Sequence, residues 1–373
     1  MAWVAARWAA SCPVTMTERA LPLNSRRALL QALGAAPWLA LSGQARAQAA
    51  APATGQNAAV SPAATAKPQR PIFVLNSQDA DVSVIDPQTW AVQRRIAVGK
   101  EPHHLYLTPD EKSLIVANAA GNSLTLIDPA TGEVQRTVRD IVDPYHLRFS
   151  PDMKWFVTAA NRLNHIDLYR WQPQQAQPFQ LARRIEAPKT PSHLWIDSRS
   201  TVVYASLQDS DELLAIDLAT QAVRWKIATG KMPADLFVTR DDRTLLVGLT
   251  GDRFVEAYDV SGTTPRRTAR IETGNGAHAF RSRGDGRHVF VSNRVANTIS
   301  VLDLGTLKLA SQLPAPGGPD CMEMMADGRT LLVTSRWARK LTVIDTEAAR
   351  VVRQVPVGRS PHGVWTLDHA SRV

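Results

Sequence analysis

The strongest constraint on this chain is a unit that returns seven times. Units opening at Pro102, Pro144, Pro191, Pro233, Gly276, Pro319 and Pro361 are spaced by 42, 47, 42, 43, 43 and 42 residues. Each complete unit holds four short runs of alternating apolar and polar residues separated by turn formers; in the unit from Pro102 these are LYLTPD, SLIVAN, SLTLID and EVQRTV. Four strands per unit at this period predict an all-β, seven-bladed β-propeller with four-stranded blades. The last unit stops after one strand, PHGVWTLDH, whereas the stretch from Ile72 to Gly99 supplies three strands without a leading one. Pairing the two chain ends therefore completes a blade, closes the ring and leaves no sheet edge open.

The turns carry aspartates at two fixed places. A PD-type turn recurs at Asp110, Asp152, Asp241, Asp285 and Asp327, and an Asp ends the third strand at Asp86, Asp128, Asp167, Asp217, Asp259, Asp303 and Asp345. An aspartate accepts from backbone N–H groups just downstream, so both sets read as structural. The one long departure, WQPQQAQPFQLARR at 171–184, predicts an exposed loop between the last two strands of its blade.

Upstream of the repeat the chain changes character. Residues 1–47 join Arg26 and Arg27 to an apolar run ending at Ala45-Arg46-Ala47, the pattern of a cleavable export signal too short to span a membrane. Ser25-Arg26-Arg27 before Ala28-Leu29-Leu30 resembles a twin-arginine signal, with a general secretory signal as the alternative. Residues 48–70 are Ala, Pro and polar residues without apolar period, a flexible linker ahead of the propeller at 71–373. These boundaries predict a periplasmic protein with no transmembrane segment in its mature form. Losing the signal takes five Arg and one Glu from a formal charge of +9, leaving 38 basic against 33 acidic side chains, which argues against nucleic acid as partner. Of two cysteines only Cys321 remains, so no internal disulfide is available.

The strand endings IVAN, VFVSN, LLVTS and IFVLN, with PHG and SPD turns, resemble the YVTN-repeat (YncE-like) β-propeller family of exported bacterial proteins. The resemblance covers residues 71–373 and implies the architecture. It leaves function open, because such propellers include lactonases, an antibiotic lyase, haem-binding domains and proteins without known activity.

The position where chemistry concentrates is the start of each unit. The first strand of a propeller blade is innermost, so residues leading into it line one mouth of the central channel. The two residues after each opening Pro or Gly are His362 and Gly363, His103 and His104, Tyr145 and His146, Ser192 and His193, Ala234 and Asp235, Ala277 and His278, Asp320 and Cys321. Six of nine histidines fall in these positions, where even scattering would place fewer than one. Neighbouring blades can bring imidazoles together, so His104, His146 and His193 form the first candidate metal set, with Asp235 next in line and His278 a further candidate beyond it; His362, His103 and Cys321 form a second across the closure. Imidazole with a carboxylate or thiolate suits zinc or copper, at 2.0–2.1 Å for nitrogen. A wider ring of ligands would hold a tetrapyrrole, while the lack of CxxCH excludes covalent c-type haem. Repeats also copy one another, and a histidine after Pro can simply cap a turn.

Further along the inner strands, Arg148, Arg281 and Glu323 share a register and read as facing a water-filled channel, where Arg148, Arg281, Glu323 and Asp320 are candidates to hold a small ligand. Arg336 to Arg339 read as solvated surface. Three functions fit: a periplasmic binding protein whose funnel takes a metal, a metal complex or a small anion; a lactonase or lyase using metal or histidine; and a scaffold for a periplasmic protein partner. If the imidazoles hold metal, affinity is expected to fall as pH drops through about 6.5, the ordinary histidine value.

Overall fold

The computed structural model describes residues 70–372; the segment read as an export signal, 1–47, and residues 48–69 of the expected linker lie outside them. The alternating runs form twenty-eight strands, numbered here in chain order, arranged as seven four-stranded antiparallel sheets. The only helix among the described residues is a single 3-10 turn at Ala119–Gly121, and none is long and apolar enough to cross a membrane. The inner strands are β4 (Pro102–Leu107), β8 (Pro144–Phe149), β12 (Pro191–Ile196), β16 (Pro233–Val238), β20 (Ala277–Ser282), β24 (Pro319–Met324) and β28 (Pro361–Thr366). The closing blade runs β28-β1-β2-β3, where β1 is Ile72–Asn76, β2 Asp81–Ile85 and β3 Val92–Ala97, so the last inner strand pairs with the first strand of the chain as expected.

Seven apolar clusters hold the ring together, each spanning two adjacent sheets. Phe73, Val82 and Val84 of the closing blade, for example, pack with Leu114, Val116 and Ile127 of the next, and Trp365 lies 6.2 Å from the Phe73 ring. No blade buries its faces alone, which makes the stability of every sheet depend on its neighbours.

The third-strand aspartates accept backbone N–H groups in six of the seven blades, as at Asp86 from Gln88 and Thr89. Asp167 is the exception: it is buried and bonded by both Arg184 and the Tyr169 hydroxyl. The reason is the insertion that follows it. The segment expected to be an exposed loop instead lengthens the hairpin formed by His165–Trp171 and Phe179–Glu186; Phe179 is buried, while the turn and residues 180–184 are exposed.

The chain does not end at β28. His369 bridges to Met325, the Ala326 amide donates to the Asp368 carbonyl, and the Ala370 amide donates to the Met324 carbonyl at 2.8 Å. These bonds carry the tail over the end of the channel remote from the histidines.

Candidate functional site: the imidazole cluster on the axis

Two backbone features aim the repeated pair at the axis. The residue before each inner strand is left-handed: Glu101, Asp143, Thr190, Met232 and Ser360, with φ between 44° and 58°, and Gly276 and Gly318 at 80° and 71°. Five of these are not glycine, each at a cost of about 1–2 kcal/mol. Then a β-bulge follows, in which two inner-strand residues oppose one on the next strand; Pro102 faces Asn118 and Leu105 faces Val116, so His103 and His104 together stand against Ala117. All seven inner strands break register at this point. A bulge re-aims side chains, and here it lets successive residues both face inward.

The same register corrects one blade. Ala277 faces Asn293 as Pro102 faces Asn118, so Gly276 matches Glu101 and not, as its place in the repeat suggested, Pro102. The pair in that blade is therefore His278 and Ala279, and two layers emerge. The outer layer is His103, Tyr145, Ser192, Ala234, His278, Asp320 and His362; the inner is His104, His146, His193, Asp235, Ala279, Cys321 and Gly363.

These side chains do not line an open funnel; they fill it. His103 and His362 are 3.6 Å apart between ring centroids, His104 is 4.4 Å from His146, 5.3 Å from His193 and 4.8 Å from His362, and His193 is 5.2 Å from His278. Ring nitrogens of His104, His146 and His193 come within 4.8 Å of one another, as do those of His103, His104 and His362, and the ligand atoms of His278, Asp320 and His362. Gly363 permits this closeness, since a Cβ there would stand 3.0 Å from Leu75 Cδ1 and 3.1 Å from the His103 carbonyl oxygen.

Hydrogen bonding separates the three groups. His146 Nδ1 accepts the Leu194 amide at 3.3 Å, so its neutral ring carries the proton on Nε2 and presents a donor, not a lone pair. His278 Nε2 lies 2.6 Å from Arg294 Nη2, and Asp320 already receives Arg294 at 2.5 Å and Arg336 at 3.1 Å. Both groups are thus partly committed. By contrast His362 donates from Nδ1 to the His103 carbonyl at 2.8 Å, which leaves the Nε2 lone pair, and His362 Nε2, His103 Nδ1 and His104 Nε2 are all buried without a hydrogen-bond partner. An imidazole bonded through one nitrogen to a carbonyl and open at the other is the arrangement of a metal ligand with its supporting shell.

Burial, more than neighbouring charge, pushes every one of these imidazoles down from the ordinary 6.5, to about 3 for His104 and about 4 for His278. The rings are neutral at physiological pH. Burial raises Asp320, but Arg294 and the nearby imidazoles more than offset it and hold the carboxyl well below its usual range. Asp235 is pushed up to about 6 by burial, and each of its oxygens accepts a backbone amide, from Leu236 and Phe280. Cys321 Sγ sits 3.5 Å from His362 Nδ1, and burial keeps its thiol protonated.

Three sequence readings change. Arg281 and Glu323 do not face open water: both are buried, 2.5 Å apart, and Arg281 also donates to the Ser371 and Ala370 carbonyls while Arg372 reaches Glu323. Arg281 is thereby spent on structure and is not free for a ligand. Arg336 is not solvated surface but turns inward to Asp320, as does Arg294, which no sequence pattern had singled out. The visible trace was the repeated Asn-Arg or Ser-Arg at the ends of second strands, in NRL, NRV and SRW.

Below the inner layer lies a cavity of about 120 Å³ walled by His104, His146 and His193 above and Arg148, Glu323 and Arg372 below. Among solved structures the chain is similar to the Pseudomonas aeruginosa periplasmic gluconolactonase PpgL, at 18% identity and TM-score 0.66 over 81% of this chain and 99% of that one. It is also similar to the dihydro-heme d1 dehydrogenase NirN in complex with DHE, at 17% identity and TM-score 0.61 over 80% and 76%. A functionally unknown protein from Desulfotomaculum acetoxidans gives 15% identity and TM-score 0.69 over 82% and 100%. At such identity these likenesses speak to the fold alone. No curated protein matches the sequence. The profile of the YNCE-like β-propeller family matches residues 32–372, and the chain belongs to that family.

Proposed function

We propose that this is a periplasmic metal-binding propeller whose axial cluster holds one zinc or copper ion between His103, His104 and His362, with the Asp320 carboxylate alongside. The observation that carries the reading is His362 Nε2: a buried lone pair 3.7 Å from Asp320 Oδ2, with no donor between them. Arg294 and Arg336 meet the carboxylate, but nothing meets the imidazole nitrogen, and a buried polar atom left without a partner is costly; a metal ion there would supply one. Neutral imidazoles and a carboxylate held ionised are the protonation states that a divalent ion requires, and nitrogen-rich donor sets favour zinc or copper over magnesium or calcium. The 120 Å³ beneath the rings falls short of the few hundred Å³ typical of organic ligand pockets, which supports an ion over a tetrapyrrole at this level.

The test is a set of melting curves of wild type, His362→Ala and His288→Ala with zinc, with copper(II) and with a chelator at pH 7.5. His288 lies outside the cluster, bonded to Asp285. Metal bound only by the folded state raises the midpoint, so wild type and His288→Ala should both shift and His362→Ala should not. A wild type that melts identically in all three conditions refutes the reading.

A further inference from the structure

The far end of the channel carries a second site. The 120 Å³ cavity continues past Tyr106, Arg148, Trp195 and Arg372 into a larger one of about 370 Å³, whose remaining walls include Val238 and Arg240. We propose that this outer cavity binds an aromatic carboxylate, anchored by Arg148.

The argument starts from the guanidinium. Arg148 is half-buried, its Nε donates to the Leu194 carbonyl at 3.1 Å, and its Cζ lies 4.8 Å from the Trp195 ring centroid and 5.6 Å from that of Tyr106. Among the described residues no carboxylate stands within ion-pair distance of Arg148 or of Arg240. The contrast with its register mate is sharp: Arg281, three blades round the ring, is matched to Glu323 and three carbonyls. The acidic groups nearest Arg148 are themselves occupied. Asp235 accepts two backbone amides, and Asp242 accepts the Ser198 amide at 3.0 Å and its hydroxyl at 2.5 Å. A half-buried cation set beside two aromatic rings, with both terminal nitrogens unspent, is preset for a planar oxyanion, which a guanidinium grips with two parallel bonds. The body of the ligand follows from the walls, since Trp195, Tyr106 and Val238 offer aromatic and aliphatic surface that a bare inorganic anion would leave unused. At about 370 Å³ the cavity is in the range of small-molecule pockets.

This site stands apart from the imidazole cluster and does not rest on metal binding there. Titration calorimetry at pH 7.5 with 2-naphthoate and its uncharged isostere 2-naphthamide tests it on the wild-type protein. Saturable 1:1 binding of naphthoate, with naphthamide at least tenfold weaker, is expected. Arg148→Met should weaken naphthoate at least tenfold, and Trp195→Leu, which keeps the charge and removes the stacking surface, should weaken both probes. Absence of saturable naphthoate binding, equal affinity for naphthamide, or wild-type affinity in Arg148→Met would each overturn the assignment. The chelator-sensitive melting shift of the first site should be unchanged in Trp195→Leu, which keeps the two proposals independently testable.

Discussion

The two ends of one channel, built by the same seven strands and only two residues apart along them, solve the burial of polar groups in opposite ways. At the far end Glu323 is met by Arg281 and Arg372, and the Ser282, Ala370 and Ser371 carbonyls take further Arg281 hydrogens, leaving Arg372 Nε, among the described residues, as the one buried guanidinium nitrogen there without a partner. At the near end His103, His104 and His362 are packed just as tightly yet keep three ring nitrogens open. A protein that only needed to fill its axis could have used the first solution, or apolar side chains, throughout. Unsatisfied buried acceptors cost about 1–3 kcal/mol each, a cost that the metal of the proposed function would offset.

The most severe way to break the comparison is to remove both ends together. Deleting residues 361–372 takes away β28, His362 and the tail with Arg372, opening the closing sheet and exposing the cluster around Trp365. Cooperative thermal unfolding should be lost; a truncated protein with an unchanged midpoint would show that the ring closes otherwise.

Acid acts on the near end. In the unfolded chain each histidine titrates near 6.5, whereas in the fold burial holds the six axial rings lower. Above pH 6.5 both states are neutral and stability is flat. Below it the unfolded state takes up protons that the folded state refuses, and each ring subtracts about 1.4 kcal/mol per pH unit until its folded value is reached. Unfolding free energies from urea titrations should therefore fall steeply between pH 6.5 and 5, by about 2 kcal/mol for each ring that stays neutral, while metal affinity holds to lower pH than the ordinary histidine value would allow. A flat urea midpoint across this interval would mean the rings are charged in the fold.

The far end is probed by Glu323→Ala, which leaves the buried Arg281 without its carboxylate and should cost about 3–5 kcal/mol. Its metal-dependent melting shift should match that of wild type, because no residue of the imidazole cluster is touched. A smaller effect sharpens the near end: Gly363→Ala presses a methyl on Leu75 and the His103 carbonyl and should cost about 1–3 kcal/mol in denaturation. Unlike Glu323→Ala, it should also weaken zinc binding in calorimetry by displacing the carbonyl that orients His362.

Most of the architecture was legible because a repeat states the same design seven times; strand number, closure and the aspartate turns all follow from periodicity. The axial histidines were legible for the same reason. What periodicity could not carry was local. The blade opened by Gly276 looks aligned by its glycine, but the left-handed backbone sits on that glycine and moves His278 into the outer layer. Arg294 and Arg336 lie on turns that any sequence reading assigns to solvent, and only the fold bends them back onto Asp320. The tail's hold on Arg281 joins residues about ninety positions apart, beyond the reach of any local pattern. Which nitrogen of each ring is free depends on single backbone partners such as the Leu194 amide and the His103 carbonyl, and those exist only once the blades are in place.

The central claim is that His362 is a neutral imidazole, protonated on Nδ1, with an open Nε2 that receives a cation. Long-range 1H–15N correlation spectra of histidine-labelled protein at pH 7.5, with His362→Gln for assignment, read this state directly. The account predicts one pyrrole-like and one pyridine-like nitrogen for His362 in chelator-treated protein, with the pyridine-like signal shifting on addition of one equivalent of zinc. Two protonated nitrogens, the signature of an imidazolium paired with Asp320, or a pyridine-like signal that ignores zinc, would contradict it.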